Sequence, residues 1–153
     1  MLASPVAERE ALVASFCEVA EQSFFAFAEP TAPPSEGLGV YPEWMQADLE
    51  FHGPAHGRMR VTLPAMLGHE LCAAFLGAGP DDELSPTAVE DLVGEFANMA
   101  CGAWLTTVRR ADAFALTHPD VTRVAQPPLD ETLWMSCNNY PVALAIEEIQ
   151  QPS

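Results

Sequence analysis

The sequence predicts an α/β fold of the α+β kind, a largely antiparallel sheet packed with two long helices and one shorter helix. Three observations carry the prediction. Apolar residues recur at helical spacing over two long stretches, about 6–28 and from Pro86 to about Arg110. Runs of alternating polar and apolar residues, separated by short turn segments, fill much of the remainder. Proline and glycine clusters fall between these runs and not inside them. At 153 residues the chain is an ordinary length for one domain, residues 1–153, and can bury roughly two-thirds of its unfolded surface.

Taken in order, Val13, Phe16, Ala20, Phe24 and Phe27 mark the buried stripe of a first helix over about 6–28. The segment EPTAPPSEG ends it, and Pro30, Pro33 and Pro34 predict a surface loop without regular hydrogen bonding. Strands over about 38–52 and 56–63 follow, joined through His52-Gly53-Pro54-Ala55-His56 and expected to pair as a hairpin. Pro64 opens a second helix through about Leu76. After the loop GAGPDDEL, Ser85 is placed to cap a third helix, with Pro86 at its first position and Arg109 and Arg110 suited to its C-terminal dipole. Strands near 112–118 and 121–125, the turn QPPLD, and a hairpin from Glu131 to about Glu148 around Asn138-Asn139 complete the order α-β-β-α-α-β-β-β-β.

Charge narrows the partners. A net charge of −16 with only six Lys plus Arg argues against nucleic acid and against an anionic membrane surface, both of which need a basic footprint. A partner that presents lysine is compatible. No apolar run reaches the ~20 residues of a membrane span, and the start MLASPVAEREA lacks the basic and apolar parts of a signal peptide. A cytoplasmic location is the resulting expectation. Cys17, Cys72, Cys101 and Cys137 are far apart, contain no C-x-x-C pair and read as reduced core thiols, with no structural zinc.

The third helix holds the most informative run, DLVGEFANMACG. At about 100° per residue, Asp91, Glu95, Asn98 and Gly102 fall within a stripe about 60° wide. Leu92, Phe96, Met99 and Ala103 mark a separate apolar face. Asn98 is a neutral amide that can hold water without repelling an anion. Glu95 can pair with a cation on a partner, and Gly102 leaves room for the partner's backbone. A glycine inside a helix costs about 1 kcal/mol relative to alanine, which invites a packing or functional reason.

Asp-x3-Glu-x2-Asn, with glycine four residues after the asparagine, resembles the signature of the CheC/CheX/FliY family of response-regulator phosphatases of bacterial chemotaxis. Asp91, Glu95 and Asn98 match it residue by residue. The family's downstream strand proline would fall on Val121, and Pro119 is taken as its counterpart with a shortened connection. The order of elements over most of the chain also resembles a CheX domain. The resemblance implies a CheC/CheX-like fold and a phosphatase acting on a phosphorylated CheY-like response regulator. Asn98 would position the attacking water, and Glu95 would pair with the lysine of the regulator's phosphorylation pocket. Asp91, Gly102 and Pro119 would support binding. A phosphoaspartate is already reactive, so holding water in line supplies much of the rate. The resemblance further implies no cofactor or metal of the chain's own, Mg²⁺ residing in the partner regulator, and a homodimer.

Other conspicuous residues carry blander readings. Asp and Glu are 22 of 153 residues, so acidic helix faces are expected on composition alone. Some relatives carry the motif in both halves, but the first helix offers Glu18 and Glu21, a carboxylate where the amide belongs, so one active site per chain is expected. His52 and His56 flank Gly53-Pro54 and read as part of a turn, not as a helical metal pair. His118, beside Pro119, could face the same cleft as Asn98. Trp44, Trp104 and Trp134 read as core residues. No phosphate cradle, nucleophile elbow or helical histidine pair is present. The main rival is a CheX-like interaction module that binds a regulator or flagellar switch component without hydrolysis.

Overall fold

The structure, a computed structural model, describes residues 5–34, 37–79, 81–109, 112–127 and 133–148. In chain order the elements are α1 (Pro5–Phe24), β1 (Ala28–Thr31), β2 (Trp44–His52), β3 (His56–Pro64), α2 (Ala65–Leu76), α3 (Pro86–Val108), β4 (Ala115–Leu116), β5 (Asp120–Val124), β6 (Leu133–Cys137) and β7 (Tyr140–Glu148). A 3-10 turn occupies Leu38–Val40. The strands form one antiparallel sheet in the order β1-β6-β7-β3-β2-β4, with β5 continuing beside β2. The α+β architecture expected from the sequence is the one observed, two long helices and a shorter one against an antiparallel sheet.

Helix α1 stops four residues short of the expected end. Phe25 takes a left-handed φ of 55°, and the Ala26 N–H closes on the Ala20 carbonyl at 2.9 Å. That conformation usually signals itself through glycine, and here no glycine marks it. Phe27 is consequently exposed and not part of the buried stripe, while Phe16, Ala20 and Phe24 are buried as expected. The segment read as a loop begins with a strand, since Ala28–Thr31 pairs with β6 in the register Ala28↔Cys137 to Thr31↔Trp134. Pro30 is tolerated because β1 is an edge strand with one side unpaired. The expected strand from 38 begins only at Trp44, the 3-10 turn taking the residues before Tyr41.

The central hairpin forms between the two expected strands, with His52 opposite His56; Pro64, expected to open the second helix, instead ends β3 opposite Trp44, and α2 begins at Ala65. Burial alternates along β2, so Met45, Ala47, Leu49 and Phe51 turn to the helices. Met59, Val61 and Leu63 of β3 and Val142 and Leu144 of β7 extend that apolar face. The Asn138-Asn139 turn has φ of 50° and 69°, the twofold positive φ of a tight hairpin, and joins β6 to β7 in place. Glu131, Thr132 and the Pro128–Asp130 part of the QPPLD turn lie outside the described residues.

Helices α1 and α3 pack together over the sheet through Phe96, whose ring lies 5.0 Å from Phe16 and 4.7 Å from Phe24. Each buried phenylalanine contributes about 1.5–3 kcal/mol through removal of apolar area from water. Trp104 meets Phe51 edge-on at 5.7 Å. Trp44 and Trp134 serve a different cluster, with Ala143, Leu38 and Tyr41, on the sheet face away from the helices. The four cysteines are free thiols. Burial pushes Cys101 and Cys137 up to about 12, and Cys17, half-buried, is raised by burial and then by Glu21. Among the described residues no helix is long and apolar enough to cross a membrane.

Candidate functional site

Helix α3 starts as the sequence indicates. The Ser85 hydroxyl accepts a hydrogen bond from the Ala88 N–H at 3.1 Å, and Pro86 takes the first helical position. The helix ends at Arg109, whose guanidinium reaches Glu148 at 3.3 Å; Arg110 lies outside the described residues. Over this length the apolar face is buried from Val89 to Leu105, which fixes the rotation of the helix about its axis. The stripe of Asp91, Glu95 and Asn98 is thereby turned to one edge of the molecule.

A wall beside that edge comes from the strand after α3. The sequence predicted one strand over about 112–118, but only Ala115 and Leu116 are paired, and pairing resumes at Asp120. Leu116 stands opposite Phe51 and Asp120 opposite Asp48, so three residues, Thr117, His118 and Pro119, face two, Leu49 and Glu50. This is a bulge, and proline fits it because no ladder donor is needed there. Thr117 pins it from both sides. Its N–H donates to the Glu50 carbonyl and its Oγ1 accepts from the Glu50 N–H, each at 2.9 Å.

Helix and bulge enclose a cleft of about 650 Å³. Glu90, Asp91, Gly94, Glu95 and Asn98 line it from α3, and Thr117, His118, Pro119 and Asp120 line it from the strand. The bulge comes closest at Gly94, where a methyl group would stand 3.4 Å from Pro119 and from Val121. Asn98 is half-buried, while Asp91 and Glu95 are exposed. Among the described residues, the Asn98 amide makes no hydrogen bond and Asp91 and Glu95 make no ion pair. Their polar groups are therefore free for another molecule. Glu90 differs, being paired with Arg123 at 3.4 Å, and Arg123 also holds Glu43.

Four of the five residues singled out in the sequence, Asp91, Glu95, Asn98 and Pro119, line one cleft. Gly102 lies a turn further on, in an adjoining depression with Leu105, Thr106 and Leu116. A methyl group there would meet only Leu116, at 3.9 Å, so the room ascribed to this glycine is present. His118 is exposed at the cleft wall, as its place beside Pro119 suggested. Sequence reasoning missed Gly94, Thr117 and Asp120. Gly94 did carry a signal, since it sits one turn before Asn98 and is itself a costly glycine inside a helix.

With Glu90, Asp91, Glu95 and Asp120 around it, the cleft is acidic. It suits a cationic group and repels a free anion. Among the described residues, its side chains do not converge as a metal-ligand set; the set that does is Glu50, His52 and His56 elsewhere on the sheet.

The sequence profile of the family described as "Chemotaxis phosphatase CheX" matches residues 45–141. No curated protein matches the chain. Among solved structures, the chemotaxis protein CheX of Vibrio vulnificus is similar at 18% identity and a TM-score of 0.72, over 93% of this chain and 96% of that one. A CheC-like superfamily protein from Shewanella sp. PV-4 is similar at 19% identity and a TM-score of 0.68, over 95% and 99%. The CheX-CheY-BeF3-Mg+2 complex from Borrelia burgdorferi provides another, at 13% identity and a TM-score of 0.66, over 94% and 98%. At these identities the structural likeness establishes a common fold.

Proposed function

The chain belongs to the CheX family of chemotaxis phosphatases, and on that premise we propose that it hydrolyses the phosphoaspartate of a CheY-like response regulator, with Asn98 positioning the attacking water and Glu95 anchoring the regulator. The observation that carries this reading is the free amide of Asn98, half-buried in a cleft with four carboxylates in its lining.

An amide offers both kinds of hydrogen bond from one rigid plane. Its carbonyl oxygen accepts from the water and turns a lone pair toward phosphorus, while its NH₂ donates to a phosphoryl oxygen. The water oxygen bonds to phosphorus, the bond from phosphorus to the aspartyl oxygen breaks, and the carboxylate leaves with its electron pair. The water's proton passes to solvent or to the departing phosphate. Since the mixed anhydride is already activated, orientation supplies much of what is needed.

The surrounding carboxylates determine what can enter. A free phosphate would meet Asp91, Glu95 and Asp120, and among the described residues no lysine or arginine lines the cleft to offset them, so a phosphoryl group that brings cations of its own is favoured. A regulator pocket carrying Mg²⁺ and a lysine answers that requirement. Glu95 lies one helical turn from Asn98 and has no partner among the described residues, so it is available to the lysine. The pair would set the register of Asn98 on the phosphoryl group. Pro119 and the adjoining bulge would form the second wall of the docking site, with Asp91 and Gly102 contributing at its margins. The Borrelia burgdorferi relative, whose complex contains CheY, supports a partner of this kind.

The test is the decay of phosphorylated response regulators from the same organism, with the wild-type chain and with Asn98→Ala. Acceleration by the wild type alone supports the reading. Equal acceleration by Asn98→Ala removes the water-positioning role, and binding without acceleration leaves an interaction module.

A further inference from the structure

On the sheet face away from the helices, two histidines and a carboxylate meet at the end of the central hairpin. His52 and His56 are directly opposite each other across β2 and β3, with Gly53–Ala55 forming the turn between them. Their rings stack at 4.1 Å with planes 29° apart. Glu50 precedes His52 by two residues and shares its face. Its Oε1 is 3.4 Å from His56 Nε2, and one donor atom from each of the three residues lies within 4.8 Å of the other two. We propose that Glu50, His52 and His56 form a binding site for a divalent transition metal ion of the zinc class.

The distances suit such an ion. Bonds of about 2.0–2.1 Å in a tetrahedral set place donors roughly 3.3–3.4 Å apart. Glu50 and His56 already stand at that separation, and the ring of His52, whose donor lies within 4.8 Å of theirs, has to turn out of the stack to aim its nitrogen at the same ion. His56 Nε2 is shielded from water and has no hydrogen-bond partner, with the Glu50 carboxylate 3.4 Å away. A metal ion would satisfy that nitrogen. Two imidazoles and one carboxylate favour zinc, cobalt, nickel or copper over magnesium and calcium, which prefer all-oxygen sets. Three protein ligands leave at least one position for water.

The backbone under the three ligands is held firmly. Ala115 pairs with His52 on the far side of β2, and Glu50 exchanges hydrogen bonds with Thr117. On β3, a side chain at Gly57 would stand 2.3 Å from the Phe51 ring and 2.6 Å from the Glu147 carbonyl, so the strands are in close contact beside the pair. Arg58 stands opposite Glu50, yet among the described residues the carboxylate's ion-pair contact is with His56. Glu147, opposite Arg58 on β7, adds negative charge that favours a cation. The site is separate from the cleft and does not depend on the phosphatase reading.

Equilibrium dialysis of the full chain against Zn²⁺ under reducing conditions tests the proposal, with Co²⁺ absorption as the probe of ligand type. One ion per chain is expected, with a Co²⁺ spectrum free of a thiolate charge-transfer band. His52→Ala and His56→Ala should weaken binding by more than the roughly 10–100-fold that loss of a ligand's supporting partner costs. Read against each protein's own metal-free unfolding midpoint, His52→Ala should abolish the rise that Zn²⁺ gives the wild type. Binding untouched by both variants, a thiolate band, or no saturable binding would each overturn the proposal.

Discussion

Helices α1 and α3 have nearly the same length, 20 and 23 residues, and share the packing around Phe96. Each carries polar residues three apart on an exposed edge, Glu18 and Glu21 on α1, Glu95 and Asn98 on α3. Only the second pair lines the cleft made with the bulge at Thr117–Pro119. Helical spacing therefore makes a stripe, and a neighbouring wall turns the stripe into a cleft. The residue types differ in keeping with this. Glu21 is an exposed carboxylate, and Asn98 is a half-buried amide whose hydrogen bonds are unspent among the described residues.

The largest contrast should be in thiol chemistry, because α1 carries half-buried Cys17 and α3 carries buried Cys101. In mass-detected alkylation of the native protein, Cys17 should label first. Cys101 should lag by roughly 10³-fold or more, since its exposure requires opening against much of a stability of about 5–15 kcal/mol. Burial raises the Cys101 pKa from 9.0 to about 12, which stabilises the fold while the thiol is protonated. That contribution is complete below pH 9 and is lost as pH rises from 9 through about 12. An alkaline denaturation series should show it, and equal labelling of both cysteines would erase the contrast.

Substitution within the α3 stripe comes next. Asn98→Ala should lower regulator dephosphorylation by roughly 100-fold, the scale of a misplaced reactant, while pull-down of the phosphorylated regulator is retained. Glu95→Lys should weaken both docking and turnover by about tenfold, read as a rise in the regulator concentration needed for half-maximal rate. The wall itself is tested by Thr117→Val, which removes the acceptor used by the Glu50 N–H. Urea unfolding should show a loss of about 1–2 kcal/mol. Smallest of all, Glu21→Asn gives α1 the Glu-x2-Asn spacing and should add no turnover at all, because among the described residues α1 contributes none to the cleft wall. A gain of activity in Glu21→Asn lacking Asn98 would mean that spacing alone suffices.

Much of this was legible from residues that act locally. Ser85 and Pro86 announced the start of α3, and Asn138-Asn139 announced the last hairpin, because capping and tight turns depend on one or two side chains. The stripe through Asp91, Glu95 and Asn98 followed from helical periodicity alone. The end of α1 was hidden, since Phe25 adopts a left-handed conformation without the glycine that usually marks one. Strand β1 was hidden too, as Pro30 argues against a strand until an edge position makes it acceptable. His52 and His56 looked like turn residues because their sequence spacing was weighed against a helix. Strand pairing puts them face to face instead.

From its sequence alone this protein has its class of fold, the presence of its central hairpin and the rotation of α3 that aligns Asp91, Glu95 and Asn98. Each of these depends on periodicity or turn chemistry within a few residues of the position concerned. Tertiary structure decided the rest: the three-against-two bulge that brings Pro119 over Gly94, the cleft that results, and the meeting of Glu50, His52 and His56. Those arrangements depend on which hydrogen bonds form between distant segments. A slip of one residue in that pairing would turn every side chain on the strand to the other face.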